Sequence, residues 1–230
     1  MPAHEPVDGL VHQHLIRGMI DRGYCPSLEE LSTALVIPIE DVTASLRRLE
    51  DNHGVVLHPH ECSVWMIHPF ATSPSNTWLQ KEDRGWWTPC MWCALGVATL
   101  VGGQVTIHAH IGGEAESVEI SVADGHPQTD SLYAHFALPL RHVWDNVHHF
   151  CAMLLPFKSE QQIDTWSTRH GLPRGRAVPI EQAGTLARAW YGKHADSDYR
   201  KWTPAEARKI FADVGLAGEF WDLDSSSDRF

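Results

Sequence analysis

Basic residues are scarce in this 230-residue sequence, where 18 Lys plus Arg stand against 29 Asp plus Glu and give a formal net charge of −11. Such a surplus of negative charge repels phosphate backbones unless the basic residues gather on one face. The composition therefore argues against a general nucleic-acid-binding protein. We expect a small molecule, rather than nucleic acid, to be the partner of this chain.

Long apolar segments are also lacking. The longest candidate, Cys93 to Val101, has about half of the roughly 20 apolar residues that a membrane-spanning helix needs. The first nine residues include His4, Glu5 and Asp8 and lack the apolar core of a signal peptide. The sequence thus predicts a cytoplasmic protein that does not associate with a membrane.

Cysteine is infrequent, with five residues in the whole chain. In a reducing compartment this odd number indicates free thiols or metal ligands rather than a disulfide framework. The segment from Arg84 to Gly96 contains Cys90 and Cys93 among three tryptophans, and a second segment, Trp144 to Cys151, ends in a third cysteine. Thiolates select zinc, copper(I) and their heavier relatives, so these segments predict soft-metal or nucleophilic chemistry.

The spacing of apolar residues predicts three helices and a hairpin within residues 1–71. These elements are helices over His14–Asp21, Leu28–Leu35 and Ile39–Asp51, followed by strands over 55–57 and 64–67. The order is typical of a winged-helix region, whose third helix reads DNA. Here that helix carries only Arg47 and Arg48 beside four acidic residues. A helical cap over the following domain is therefore the favoured interpretation.

A polar linker at 71–76 precedes a predicted core at 77–195. The core is expected to contain a short helix Ala94–Leu100, a hairpin of strands 105–111 and 117–122, a buried strand Phe150–Phe157 that carries Cys151, a helix after Ser159 and a helix Ile180–Tyr191. Residues 196–230 are predicted to hold a last helix, Pro204–Val214, and a polar tail from Asp222 to Phe230. The fold class is α+β, with a mixed or antiparallel sheet in the core.

At its two cysteine segments the sequence resembles the organomercurial (alkylmercury) lyase family. The resemblance rests on the string Trp92-Cys93-Ala94-Leu95, on Phe150-Cys151, and on Trp166 fifteen residues after Cys151. It implies a winged-helix-like region before a lyase core, and thiol-dependent protonolysis of a carbon–mercury bond by Cys93 and Cys151. It also implies that no cofactor is required, that mercury or another soft metal is bound as substrate or product, and that low-molecular-weight thiols accept the product.

Two positions depart from the family. Its third catalytic residue is an acid directly after the Trp-Cys-Ala-Leu string, where this chain has Gly96, and Cys90 forms an additional Cys-x-x-Cys pair with Cys93. Without the acid, cleavage of the carbon–mercury bond is expected to be slow or limited to a narrow range of substrates. A Gly96→Asp variant is then expected to gain the ~10²- to 10⁴-fold that general acid catalysis contributes.

The remaining roles are assigned by position in the sequence. Asp145, His148 and His149 are candidates for a substitute proton shuttle because they lie close to Cys151. Trp92, Cys90 and Gly96 are the candidate substrate-binding residues, and Cys90, Cys93 and Cys151 are the candidate metal ligands. Because Cys93 is predicted to begin a helix, the amide groups of its first turn are expected to lower its pKa.

Three other functions stay open at this point. The thiols could serve a protein that only binds mercury, copper or zinc, because Cys-x-x-Cys is half of a zinc knuckle. The lyase fold could also be used for another small-molecule reaction. A metal-responsive DNA-binding regulator is the third alternative, which the acidic third helix disfavours.

Overall fold

Three helices form the N-terminal part of the chain in a computed structural model, which describes residues 6–223. They are α1 (Pro6–Arg22), α2 (Leu28–Leu35) and α3 (Ile39–Asp51). Ser27 caps α2 in a capping box with Glu30, and the buried side of α3 carries Val42, Leu46 and Leu49. The bounds of α2 and α3 confirm the predictions made from local sequence, whereas α1 begins at Pro6 rather than at His14. The predicted polar tail lies, from residue 224 on, outside the described residues.

Eleven strands of the described chain form two antiparallel sheets. The larger sheet has the order β1 (Val56–Leu57), β2 (Val64–Ile67), β3 (Phe70–Ala71), β5 (Arg84–Thr88), β4 (Thr77–Lys81), β6 (Gln104–His110), β7 (Ser117–Ala123) and β8 (His126–Pro127). The smaller sheet has the order β10 (Leu154–Phe157), β9 (Tyr133–Phe136) and β11 (Arg176–Pro179). Because Ala71 of β3 pairs with Trp87 of β5, the hairpin β1–β2 continues into the core sheet. A domain division between residues 71 and 77 stays a prediction.

Five further helices surround or enter the core. They are α4 (Met91–Val101), α5 (Val147–Ala152), α6 (Glu160–His170), α7 (Ile180–Tyr191) and α8 (Pro204–Asp213), with short 3₁₀ turns at Ile111–Gly113, Leu140–His142 and Glu219–Trp221. Every residue of α4 from Met91 to Ala98 is buried, and α7 packs along it. A helix that is apolar on all sides requires such complete enclosure. Within the described residues, no helix has both the length and the apolar character to cross a membrane.

Two predicted elements near the cysteines are wrong in their boundaries. Cys151 lies on the helix α5 and not on a strand, because the side chain of Asn146 accepts a hydrogen bond from the N–H of His149 at 3.0 Å and starts a helix there. The strand begins only at Leu154, where pairing with β9 is available. Similarly, α4 begins at Met91 rather than at Ala94.

The N-terminal helices are attached to the core by specific polar contacts. The indole N–H of Trp86 on β5 donates to the carbonyl oxygen of Met19 on α1 at 2.6 Å. Inside the helical region, Arg48 of α3 donates twice to the carboxylate of Asp8, at 2.8 and 3.1 Å, and Ser45 donates to the same carboxylate at 2.7 Å. One of the two arginines on the predicted DNA-reading helix, Arg48, therefore binds within the protein.

Candidate active site

Three cysteine side chains meet where the N-terminus of α4 faces α5. Cys90 is the N-cap of α4 and Cys93 lies one turn further on, while Cys151 comes from α5. All three are buried, with 1%, 1% and 5% of their surface exposed. The ligand atoms of Cys93, Cys151 and His68 lie within 4.8 Å of one another. Thiolate bonds of about 2.3 Å let one two-coordinate soft ion bridge sulfurs at about this separation.

The three thiols do not share charge equally. The Sγ atom of Cys90 accepts a hydrogen bond from the N–H of Cys93 at 3.2 Å. Burial by itself raises the pKa of Cys90, but hydrogen bonds from Cys151, Cys93 and the amides of Cys93 and Trp92 more than offset it, and the pKa falls well below its ordinary value. Hydrogen bonds with Cys90 and Cys93 raise the pKa of Cys151 well above its ordinary value.

This distribution corrects one prediction. Burial raises the pKa of Cys93 well above its ordinary value, whereas the helix N-terminus was expected to lower it. The reason is the earlier start of α4, which gives the capping position and its amide groups to Cys90. The helix N-terminus thus favours the thiolate form of Cys90 over that of Cys93 and Cys151.

Tyr191, at the end of α7, is a member of the site that the sequence did not indicate. Its hydroxyl oxygen lies 3.6 Å from the Sγ atom of Cys93. Its ring covers Gly96, where an added Cβ atom would lie 2.3 Å from Cδ2 and 2.8 Å from Cε2 of Tyr191. An aspartate at position 96 would therefore have to displace the tyrosine ring, and the expected gain of the Gly96→Asp variant stays a prediction.

His68 is a second member that was missed. Its Nε2 atom lies 3.7 Å from the Sγ atom of Cys151. Burial lowers the pKa of its imidazole to about 4, so the ring is neutral at physiological pH. A neutral imidazole is a metal ligand, and together with thiolates it suits zinc or copper. In the sequence, His68 stands 83 residues before Cys151, and no local motif connects the two.

The thiols open into a cavity with mostly apolar and aromatic walls. Its walls include Trp92, Val147, Phe150, Trp190 and Phe211. Residues of the N-terminal helical region, His12, His53 and Gly54, also line it. Among residues 6–223, no aspartate or glutamate contributes to the lining. The cavity can therefore hold an apolar group next to sulfur atoms, but it offers no carboxyl group as an acid.

The predicted substrate residues and proton shuttles occupy different places. Trp92 lines the cavity with Cys90, whereas Gly96 does not reach it because Tyr191 lies in between. The carboxylate of Asp145 is exposed and accepts a hydrogen bond from His142 at 2.7 Å. His149 is exposed, and the ring of His148 packs on Trp65, 4.1 Å between centroids. The structure does not bring Asp145, His148 or His149 into the lining of the cavity.

The fold is α+β, and buried thiols lie at a helix N-terminus beside an apolar cavity. These features define a class of proteins suited to soft-metal thiol chemistry. The sequence matches the family model for alkylmercury lyase over residues 70–192, more than half of the chain. The chain belongs to the alkylmercury lyase family and is an organomercurial-lyase-like protein. The matched region contains Cys90, Cys93, Cys151 and Tyr191, and His68 lies two residues before it.

A solved structure described as the mercury-bound form of MerB2 has the same fold. The two share 16% sequence identity and a TM-score of 0.60, over 82% of this chain and 95% of the other. The TM-score shows that the two folds are alike, and a sequence identity this low assigns no role to individual residues. A comparison with curated protein sequences returns no match.

Proposed function

We propose that this protein cleaves the carbon–mercury bond of small organomercurials by protonolysis, with Cys93 and Cys151 as the thiols that hold mercury. The observation that carries the proposal is the meeting of these two buried sulfur atoms within 4.8 Å at the wall of an apolar cavity. Family membership supports the same reaction. Sulfur supplies the soft ligand that mercury requires, and the cavity supplies space for the organic group.

Cys90 is the proposed point of entry, because it caps α4 and the amide groups there lower the pKa of its thiol. Its thiolate attacks mercury and displaces the outgoing ligand. The mercury then passes to Cys93, whose proton moves to the released thiolate of Cys90. Cys151 becomes the second ligand, and its proton accounts for the hydrogen that the carbon gains. Thiolate ligation of mercury raises the electron density on the attached carbon, and this favours protonation of the carbon. The products are a hydrocarbon and a protein-bound mercuric ion.

The same chemistry determines the cofactor requirement, the acceptor of the mercuric ion and the compartment of the protein. The reaction needs no cofactor, because every bond change is supplied by thiols and one proton. Low-molecular-weight thiols remove the mercuric ion from the cluster by ligand exchange. We place the protein in the cytoplasm, where a reducing medium keeps its five cysteines free.

The test is release of benzene from phenylmercury by the reduced protein in the presence of excess thiol, measured by gas chromatography. Wild type is expected to release benzene, and Cys93→Ser and Cys151→Ser are expected to release none and to lose tight mercury binding. Cys62→Ser is the matched control, because Cys62 lies outside the cavity. A wild-type protein that releases no benzene above the rate with thiol alone contradicts the proposal.

A protein that only binds a soft metal is the second candidate, and His68 is the observation that favours it. His68, Cys93 and Cys151 offer one nitrogen and two sulfurs within 4.8 Å of one another, donors that zinc accepts. Cobalt(II) is a spectroscopic probe for such a site. This candidate is selected if wild type shows intense thiolate-to-cobalt absorption and does not cleave phenylmercury. The absorption is then expected to be lost in His68→Ala and kept in His60→Ala.

A DNA-binding regulator finds less support. The guanidinium group of Arg48 is engaged by Asp8, and the N-terminal helices contact the core and the cavity. We propose that this region, residues 1–71, caps the lyase core. A gel-shift experiment with operator fragments at moderate salt is expected to show no complex. Tight binding that weakens steeply with added salt contradicts the proposed role of the cap.

A further inference from the structure

The hydroxyl group of Tyr191 is aimed at the thiol cluster from the end of α7. Its oxygen lies 3.6 Å from the Sγ atom of Cys93, and only 3% of the residue is exposed. The ring is held between aromatic neighbours, with Trp92 at 5.5 Å and His194 at 5.0 Å between ring centroids. The hydroxyl is thus fixed beside the sulfur on which mercury is proposed to reside.

Tyr191 and Gly96 form one complementary arrangement. The tyrosine ring takes up the space above Gly96 so completely that a Cβ atom there would approach ring carbons to 2.3 Å. Any larger residue directly after the Trp-Cys-Ala-Leu string would therefore force the ring of Tyr191 to move. The absence of a side chain at Gly96 leaves room for the ring of Tyr191, and this ring carries the hydroxyl that reaches Cys93.

Two other proton donors of the cavity, Lys201 and Tyr199, are engaged elsewhere. Lys201 donates to the carbonyl oxygens of Asn52 and His53 at 3.0 and 2.9 Å, and Tyr199 and His194 are hydrogen-bonded to each other at 3.0 Å. His68 lies next to Cys151 rather than Cys93. Among the described residues, the lining includes no carboxyl group. Tyr191 is the hydroxyl of the lining that contacts Cys93.

We propose that Tyr191 is the acid that protonates the leaving carbon, in place of a carboxyl group at position 96. This inference rests on the proposed lyase function. While mercury is bound to Cys93, the O–H bond of Tyr191 breaks, its proton forms the new carbon–hydrogen bond, and the electron pair of the carbon–mercury bond becomes that bond. The hydrocarbon leaves, mercury stays on sulfur, and Tyr191 is left as a phenolate.

The proton balance closes within the cluster. A free phenol is a weaker acid than a free thiol, so the phenolate takes the proton of the remaining cysteine thiol. The thiolate formed in this way becomes the second ligand of mercury. The sum is one organomercury thiolate and one thiol giving one hydrocarbon and one mercury dithiolate, with Tyr191 regenerated.

The experiment compares wild type, Tyr191→Phe and Tyr24→Phe in a single turnover with phenylmercury. Tyr191→Phe keeps the ring over Gly96 and removes only the hydroxyl, whereas Tyr24 is exposed and outside the cavity. Benzene release is followed by gas chromatography, and intact-mass spectrometry follows the protein. We expect Tyr191→Phe to bind phenylmercury as wild type does, to accumulate the protein–mercury–phenyl adduct, and to release benzene about 10²- to 10⁴-fold more slowly. Tyr24→Phe is expected to match wild type.

The outcomes separate the inference from the function on which it rests. Benzene release at the wild-type rate by Tyr191→Phe overturns the role of Tyr191 and leaves the lyase function intact. Failure of Tyr191→Phe to form the adduct also overturns it, because the hydroxyl then serves to position Cys93 for binding. If wild type binds phenylmercury and releases nothing, the lyase function itself fails, and the role of Tyr191 fails with it.

Discussion

The Sγ atom of Cys90 accepts a hydrogen bond from the backbone N–H of Cys93 at 3.2 Å and thereby caps α4. Unpaired N–H groups at a helix N-terminus stabilise negative charge. The pKa of Cys90 is consequently lowered, whereas the pKa values of Cys93 and Cys151 are raised. The additional cysteine of this chain thus places a thiol where the helix N-terminus opposes the effect of burial, which by itself favours neutral thiols.

The first prediction concerns the pH dependence of mercurial capture. A thiol whose pKa is lowered is charged above that lowered value and loses its charge only as the pH falls through it. The rate of phenylmercury capture, measured by stopped flow from about pH 5 to about pH 9, is therefore expected to stay near its maximum at neutral pH and to fall only in acid, unlike that of a free thiol with a pKa of about 8.5.

Cys90→Ser is the matched variant for this prediction. Serine keeps an oxygen that can cap α4, so the helix is retained while the thiolate is removed. Capture by the variant is expected to slow at neutral pH and to recover only in alkali, as Cys93 and Cys151 lose their protons. A profile identical to that of wild type would show that Cys90 does not carry the reactive charge.

The second prediction concerns crowding between Gly96 and Tyr191. Gly96→Ala and Gly96→Asp both bring a Cβ atom against the tyrosine ring. Each is expected to lower the free energy of unfolding by about 1–3 kcal/mol, the usual cost of overpacking a core. Urea denaturation measures the change. Because alanine carries no charge, equal losses in the two variants would identify the cause as steric, and unchanged stability in both would contradict the account.

A size exchange extends this prediction to catalysis. Tyr191→Ala removes the ring and the hydroxyl, and the double variant Gly96→Asp with Tyr191→Ala offers a carboxyl group in the vacated space. The double variant is expected to release benzene faster than either single variant, with part of the ~10²- to 10⁴-fold contribution of a general acid restored. Faster release by Gly96→Asp alone would refute the idea that Tyr191 blocks this position.

The third prediction concerns the buried ion pair of the N-terminal region. The side chain of Asp8 is 1% exposed and is bound by Arg48 and Ser45. Asp8→Ala leaves the guanidinium group without this partner, and we expect it to lower the free energy of unfolding by about 3–5 kcal/mol. The exposed pair of Lys209 and Asp213 provides the control, since Asp213→Ala is expected to cost less than about 1 kcal/mol. Equal effects in urea denaturation would contradict the importance of Asp8.

Local signals in the sequence predicted many helices correctly. Ser27 with Glu30, Ser159 with Gly171, and Thr203 each mark a helix end by a side-chain or glycine cap, and the structure confirms these caps. The apolar run around Cys151 was assigned to a strand because such a run fits a buried strand and a buried helix equally well. The deciding signal was Asn146, a good N-cap residue directly before α5.

The contacts that complete the site are long-range and carry no local signal. Tyr191 lies 98 residues from Cys93, and His68 lies 83 residues from Cys151. Their convergence depends on the packing of α7 along α4 and on the chain passing from β2 into β3. The sequence did predict that Cys93 and Cys151 act together, through resemblance to a family. It did not predict which thiol carries the charge, because one turn of error in the start of α4 exchanges Cys90 and Cys93.

The most direct test of the account is the anomalous scattering of mercury in crystals of the protein after one turnover with phenylmercury. We expect a single strong mercury site between the Sγ atoms of Cys93 and Cys151, at thiolate bond lengths of about 2.3 Å, with no phenyl group attached. Mercury that still carries its phenyl group, or that lies only at Cys25 or Cys62, would contradict it.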